Sequence, residues 1–298
     1  MSAAPSEPTQ LYLIDSMAFF REEARLRAEV RRQTHPGDVW VKEHAGIEPG
    51  VRALGAVLEA IAHAVSHGAI DGPHPKDGSV VRVSGATIQR AIPVGVTLKM
   101  GLSMRPHDLG LLTHWDSKAN THRHSKGEAY LGGLMPTLQR PTLKQVRWFD
   151  SSTKRLGQSV ILNRTGLELT DTIPPRAVSE VTVPHHLPWL LVDETRHPPY
   201  GCPLWLIEAM GQAANLPFAE VNNLDPALDV LLGQRIRTIW LRPNLPAGQT
   251  LTLVTNYHLP FLGRWRLRAD VSAWLGDELV GLAERLVCLQ VPLDALER

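Results

Sequence analysis

The chain has 298 residues, 43% of them hydrophobic and 20% charged, enough to bury two cores of about 130 to 150 residues each. Its 31 basic and 30 acidic residues leave a formal net charge of +1, and Arg25, Arg27, Arg31 and Arg32 interleave with other residue types, which argues against nucleic acid or a membrane as partner. Two cysteines, Cys202 and Cys288, support neither a disulfide framework nor a cysteine zinc site; with no secretory pattern in residues 1–10 and no long apolar run, a reducing cytoplasm is expected.

In chain order, Leu11–Ile14 and Ala24–Arg32 predict strands, the second alternating Leu26, Ala28 and Val30 with charged residues. Pro49-Gly50 then opens a helix over Val51–His67, with Leu54, Val57, Leu58, Ile61 and Val65 at helical spacing and Gly68 as its stop. Strands are predicted at Val80–Ser84, Thr97–Met104 and Glu128–Leu131, with Asn120–Ser125 as a polar hairpin loop. Pro136 and Pro141 interrupt the pattern between Met135 and Lys144, which divides the chain into domains 1–138 and 139–298. Arg147–Leu169 offers further strands, followed by a strand at Ala177–Val183, an apolar helix over Pro203–Phe218, and strands at Ile236–Leu241, Thr250–Tyr257, Trp265–Trp274 and Glu284–Val291. Of the eight tryptophans, Trp189, Trp205, Trp240, Trp265 and Trp274 fall in the second part of the chain, and most of the eight are expected in the core.

The two parts resemble each other at an offset of 153 residues. Pro93-Val94-Gly95-Val96-Thr97-Leu98 recurs as Pro246-Ala247-Gly248-Gln249-Thr250-Leu251, and the same offset pairs His44 with His197, Ala60 with Ala213 and Ala24 with Ala177. The repeat breaks at one chemically telling position, where Gly55 of the first copy stands opposite Glu208 of the second.

A long helix among strands, present twice, predicts an α+β double hotdog, each repeat a central helix wrapped by an antiparallel sheet. Leu206-Ile207-Glu208-Ala209-Met210-Gly211-Gln212-Ala213-Ala214 resembles the central-helix motif of the hotdog-fold 3-hydroxyacyl-ACP dehydratases, and Arg90–Met100 resembles a second segment of that family. Pro49-Gly50 stands five residues before Gly55, as the family's Pro-Gly stands before its catalytic acid. His44-Ala45-Gly46-Ile47-Glu48-Pro49-Gly50 is three residues shorter than the family's histidine segment, and the second repeat has Pro203 in place of Gly50.

The resemblance implies a dehydratase or hydratase of acyl-ACP or acyl-CoA thioesters in fatty-acid or polyketide assembly, without cofactor, and a homodimer of such chains is an open expectation. Elimination of water needs a base for the α-proton, an acid for the leaving hydroxyl, and donors to the thioester oxygen. By resemblance these are His44 as base, Glu208 as acid with its pKa raised by burial against Leu204 and Trp205, and the Gly50 N–H, with Gln212 orienting the carboxyl and Trp205 and His197 lining the acyl site. Only one cross-repeat site would then be complete, because the other combines His197, Pro203 and Gly55.

Competing readings also follow from the residues. Glu208 could instead pair with Arg235 or Arg237. The same helix motif is similar to the γ-butyrolactone (A-factor) biosynthesis hotdog family, which condenses a β-ketoacyl thioester with a phosphate-bearing partner, and Arg235, Arg237 or Arg242 could hold that phosphate. A thioesterase or a non-catalytic acyl-binding hotdog protein would use the same fold. His114, His122 and His124 have no acidic second shell in the sequence, and His63 and His67 lack the glutamate of a zincin helix, so no metal site is expected.

Overall fold

A computed structural model of the chain describes residues 14–23, 25–33, 47–48, 50–73, 79–89, 92–93, 95–108, 110–149, 161–169, 175–185, 201–225, 228–258 and 265–292. The expected strand at residues 11–13, His44, Pro49, His197 and the side chain of Pro203 lie outside the described residues.

The first half of the chain contributes β1 (Ser16–Glu22), β2 (Arg25–Gln33), β3 (Ile47–Glu48), α1 (Gly50–Ser66), β4 (Val81–Ile88), β5 (Ile92–Pro93), β6 (Thr97–His107), β7 (Gly110–Ala119) and β8 (His122–Leu131). The second contributes β9 (Val146–Phe149), β10 (Arg164–Glu168), β11 (Arg176–Thr182), α2 (Gly201–Val221), β12 (Asp229–Leu241), β13 (Thr250–Tyr257), β14 (Arg266–Leu275) and β15 (Glu278–Pro292). Thirteen strands form one antiparallel sheet in the order β1-β2-β6-β7-β8-β4-β12-β15-β14-β13-β11-β10-β9, and β3 pairs with β5 separately. The run β2-β6-β7-β8-β4 and the run β11-β13-β14-β15-β12 have the same chain-order logic, mirrored about the β4–β12 pair. In that pair Arg82 faces Trp240 and Thr87 faces Arg235, so the contact is symmetric under the 153-residue offset.

The repeated six-residue motif has a physical reason. Gly95 and Gly248 have φ of 84° and 79°, and Gln249 donates its N–H to Pro246 at 3.4 Å, the signature of a type II turn with glycine at its third position. Thr97 and Thr250 then open β6 and β13.

Elsewhere the offset slips. Arg31 on β2 faces Lys99, and Glu180 on β11 faces Thr252, an offset of 149 where Lys99 to Thr252 is 153. By ladder position Ala177 therefore corresponds to Ala28, because the stretch from β11 to β13 is four residues longer than that from β2 to β6.

Most inward residues are those the alternation predicts. On β2, Leu26, Ala28 and Val30 are buried between exposed charged residues. α1 buries Val57, Leu58 and Ile61; α2 buries Leu204, Trp205, Met210 and Phe218, and the two helices touch. Trp115 lies across the ladder from Gly127, where any Cβ would collide with its ring.

Three expectations need correction. The polar loop at Asn120–Ser125 shrinks to the turn residues Asn120 and Thr121, with Asn120 at φ 55°, and β8 already begins at His122; His124 is buried because a bulge opposite Ser117 and Lys118 turns it inward. β7 has no counterpart in the predicted elements, since its inward positions include Thr113 and Ser117, which the hydrophobic alternation misses; both Ser117 and Ser125 are buried and satisfy each other at 2.6 Å. Trp265 is 61% exposed and not in the core.

Residues 132–145, the interrupted segment between the halves, have no regular structure but a definite course. Arg140 donates to the Gly276 carbonyl at 2.7 Å and to Thr252 Oγ1 at 3.3 Å, and Lys144 N–H donates to Glu168 at 2.7 Å. Met135 and Leu143 pack on Val254, Trp274, Leu279 and Leu282, so the segment straps the outer face of the second half-sheet.

Candidate active site

Glu208 lies just past the first two turns of α2, half-buried, with its side chain anchored from one turn further on. Gln212 is buried, and its Nε2 donates to Glu208 Oε1 at 2.9 Å. The opposite end of the same amide is committed as well, because Gln212 Oε1 accepts the Ile161 N–H at 2.9 Å. A backbone donor on the oxygen side forces the NH2 side toward Glu208, so the orientation of the amide follows from its partners. This relay runs from the segment before β10, through the helix, to the carboxyl. Sequence reasoning found Glu208 and Gln212 but not Ile161, whose contribution is a main-chain N–H and leaves no trace in residue type.

Behind Glu208 the helix meets the sheet. Cys288 of β15 is fully buried and unpaired with another cysteine, and its thiol is pushed up to about 12, first by burial, with the nearby Glu208 charge adding to the effect and a hydrogen bond from Asn215 opposing it. A thiol so strongly held in its protonated form is a poor nucleophile, which removes Cys288 as a covalent catalyst. Burial likewise holds the Tyr257 phenol protonated, and its hydroxyl donates to the Ala214 carbonyl at 2.8 Å.

The carboxyl's helix is fixed by a second device. Pro217 lies inside α2 and cannot donate to Ala213, four residues back; Thr255 Oγ1 on β13 donates to that carbonyl instead, at 3.1 Å. A side chain of the sheet thus completes the helix's hydrogen bonding little more than one turn from Glu208.

Of the other residues singled out by sequence, Gly50 is the first residue of α1, where a helix's backbone N–H groups have no partner within the helix. Gly55, the counterpart of Glu208, is buried on the same helix. Trp205 is 1% exposed and belongs to the core under Glu208. Arg235 and Arg237 are exposed on β12, and Arg242 is held by Glu278 at 2.6 Å. His63 and His67 stack at 3.9 Å between ring centroids, with His63 half-buried and His67 exposed. His114 pairs with Glu128 at 3.0 Å, and among the described residues no group of three or more His, Cys, Asp or Glu could hold a metal. Among the described residues no helix is long and apolar enough to cross a membrane.

No protein-family model matches the chain, and no curated protein sequence matches it. Solved structures do. The dehydratase domain of PpsC from Mycobacterium tuberculosis, in complex with C12:1-CoA, superposes with a TM-score of 0.63 at 10% identity over 94% of this chain and 99% of that one. The fold is that of the dehydratase domains of polyketide synthases. The dehydratase domain from the CurJ module of curacin polyketide synthase gives 0.62 at 11% identity over 96% and 98% of the two chains. GphF dehydratase 1 gives 0.61 at 14% identity over 93% and 98%.

Proposed function

We propose that the chain is a hydro-lyase that interconverts 3-hydroxyacyl and 2-enoyl thioesters in polyketide-type or fatty-acid assembly. The observation that carries this reading is the Ile161–Gln212–Glu208 relay, which presents an oriented carboxyl from a central helix in a fold shared with dehydratase domains. The finer architecture is a double hotdog, with repeats at residues 1–138 and 139–298 and each sheet wrapped around its helix.

In this reading His44 removes the α-proton, the C3–O bond breaks, and Glu208 gives its proton to the leaving hydroxyl, so that the products are the 2-enoyl thioester and water. The Gly50 N–H at the start of α1 supports the negative charge on the thioester oxygen as it develops. Gln212 holds Glu208 so that one carboxyl oxygen accepts its NH2 group and the other faces the substrate. Gly55 leaves the mirror-related site without a carboxyl at this position, so the pair of repeats works through one site. The acyl group arrives on ACP or CoA in the cytoplasm; the PpsC neighbour, with its bound C12:1-CoA, favours an acyl thioester of this kind. His197 stands on the acyl side of the site, the buried Trp205 supports the helix beneath it, and a homodimer of such chains is part of the proposal.

The test is hydration of a panel of 2-enoyl-CoA and 2-enoyl-ACP thioesters by wild type and by His44→Ala, His197→Ala and Glu208→Gln. Loss of turnover in His44→Ala and Glu208→Gln, with His197→Ala active, is the expected result. A wild type inactive on every chain length, or a Glu208→Gln protein as active as wild type, would overturn the reading.

A further inference from the structure

The outer faces of the two half-sheets differ in a way that the reaction does not explain. In the first half, one row across the ladder joins Arg31, Lys99, Lys118 and Arg123, from β2, β6, β7 and β8 in turn. All four side chains are exposed. Like charges directly opposite one another on a sheet destabilise it, and at the usual strand spacing this row puts four cations within about 14 Å. Arg123 is neutralised by Asp116 at 2.8 Å, whereas among the described residues Arg31, Lys99 and Lys118 have no ion pair. These residues border a groove of about 410 Å3 whose floor is Gly101, and a Cβ built there would meet nothing within 4 Å.

The same row of the second half runs Glu180, Thr252, Trp274, Leu279, and the residue in the place of Gly101 is Val254. That row is covered. Residues 132–145 cross it, Arg140 bonds to Thr252, and Met135 and Leu143 cover Trp274 and Val254. One face of the fold therefore shows what its counterpart is shaped to accept: an extended stretch of polypeptide running across the strands. In the covered row Trp274 and Leu279 make apolar contacts and Thr252 takes a hydrogen bond, whereas the open row is cationic.

We propose that the groove over Gly101 is a docking site for an extended acidic segment of a partner protein, whose carboxylates pair with Arg31, Lys99 and Lys118 as the chain's own strap packs on the second half. Glu29 and Asp116 interrupt the cations on the next row, a poor match for the unbroken charge of a phosphate backbone and a better one for a peptide with spaced carboxylates.

The experiment uses the full chain and a fluorescein-labelled Glu-Pro repeat peptide, followed by anisotropy at low and high salt, with a Lys-Pro repeat and oligothymidylate as controls. The acidic peptide should bind in a salt-sensitive way, and Lys99→Glu and Lys118→Glu should each weaken it about tenfold. Gly101→Val, which fills the floor as Val254 does without a steric clash, should weaken binding with an unchanged thermal midpoint. Lys99→Glu should unfold no earlier than wild type, since it relieves the repulsion in its row. Absence of peptide binding, binding indifferent to all three substitutions, or tighter binding of oligothymidylate than of the acidic peptide would each overturn the proposal.

Discussion

Thr255→Val is a near-isosteric change at a position 1% exposed, and it removes the one donor that replaces the missing N–H of Pro217. The Ala213 carbonyl would then be buried with neither its helical partner nor its substitute, a loss worth about 1–3 kcal/mol. In a Pro217→Ala background the helix regains an N–H at residue 217, so the same Thr255→Val change should cost no more than about 0.5 kcal/mol, the residual effect of swapping a hydroxyl for a methyl. The coupling between the two substitutions should therefore be about 1–2 kcal/mol, whatever Pro217→Ala does alone. Urea denaturation of the four proteins, followed by circular dichroism and linear extrapolation, measures it as a difference of differences. An equal cost for Thr255→Val in both backgrounds would refute the claim that a sheet hydroxyl completes this helix. Because the break lies little more than one turn from Glu208, the destabilised single variant should also lose turnover before it loses fold.

Two further outcomes follow from particular contacts. Gln212→Glu keeps an acceptor for the Ile161 N–H but replaces the donor to Glu208 with a second carboxyl at 2.9 Å, so the pair should share a proton and the pH profile of hydration should shift to higher pH, whereas an unchanged profile would show that Gln212 does not govern the acid. His63 is held below its ordinary pKa of 6.5, first by burial and then by His67, so the unfolded chain binds the proton more readily; its contribution to stability is present above about pH 6.5 and is lost as pH falls through the lowered folded value. His63→Leu should flatten the decline of the thermal midpoint below about pH 6.5, and parallel curves for the two proteins would contradict the assignment.

The elements legible in the sequence are those whose pattern is set by burial on one side. β2 reads cleanly because its inner residues are Leu26, Ala28 and Val30 and its outer ones are charged, and α1 reads cleanly because its apolar stripe has helical spacing. β7 was hidden because its inner positions include the polar residues Thr113 and Ser117, and the partner of Ser117, Ser125, lies on β8 and is invisible in a linear pattern. The site divides in the same way. Glu208 and Gln212 are a side-chain pair at helical spacing and can be read from residue types, while Ile161 enters through its backbone and Thr255 through a vacancy created by Pro217. The ungapped offset of 153 also does not extend to β2 and β11, whose ladder positions are 149 apart because the connections to β6 and β13 differ in length.

The half-sheet that carries Glu208's helix is covered on its outer face where residues 132–145 cross it. Leu251 and Leu253 lie inward on β13 and Val254 lies under the strap, so substitutions on either face of these strands meet packed neighbours. The first half has one covered face only, and its outer row is free to carry charges that two-sided packing would forbid. In the proposed reading the acid sits on the half whose sheet carries the strap, where α2 is tied to β13 by Thr255 and Tyr257. A surface that engages and releases another chain belongs on the open half. In the proposed readings, the asymmetry between Gly55 and Glu208 inside the fold and that between Gly101 and Val254 outside it divide the labour of the two halves along the same line.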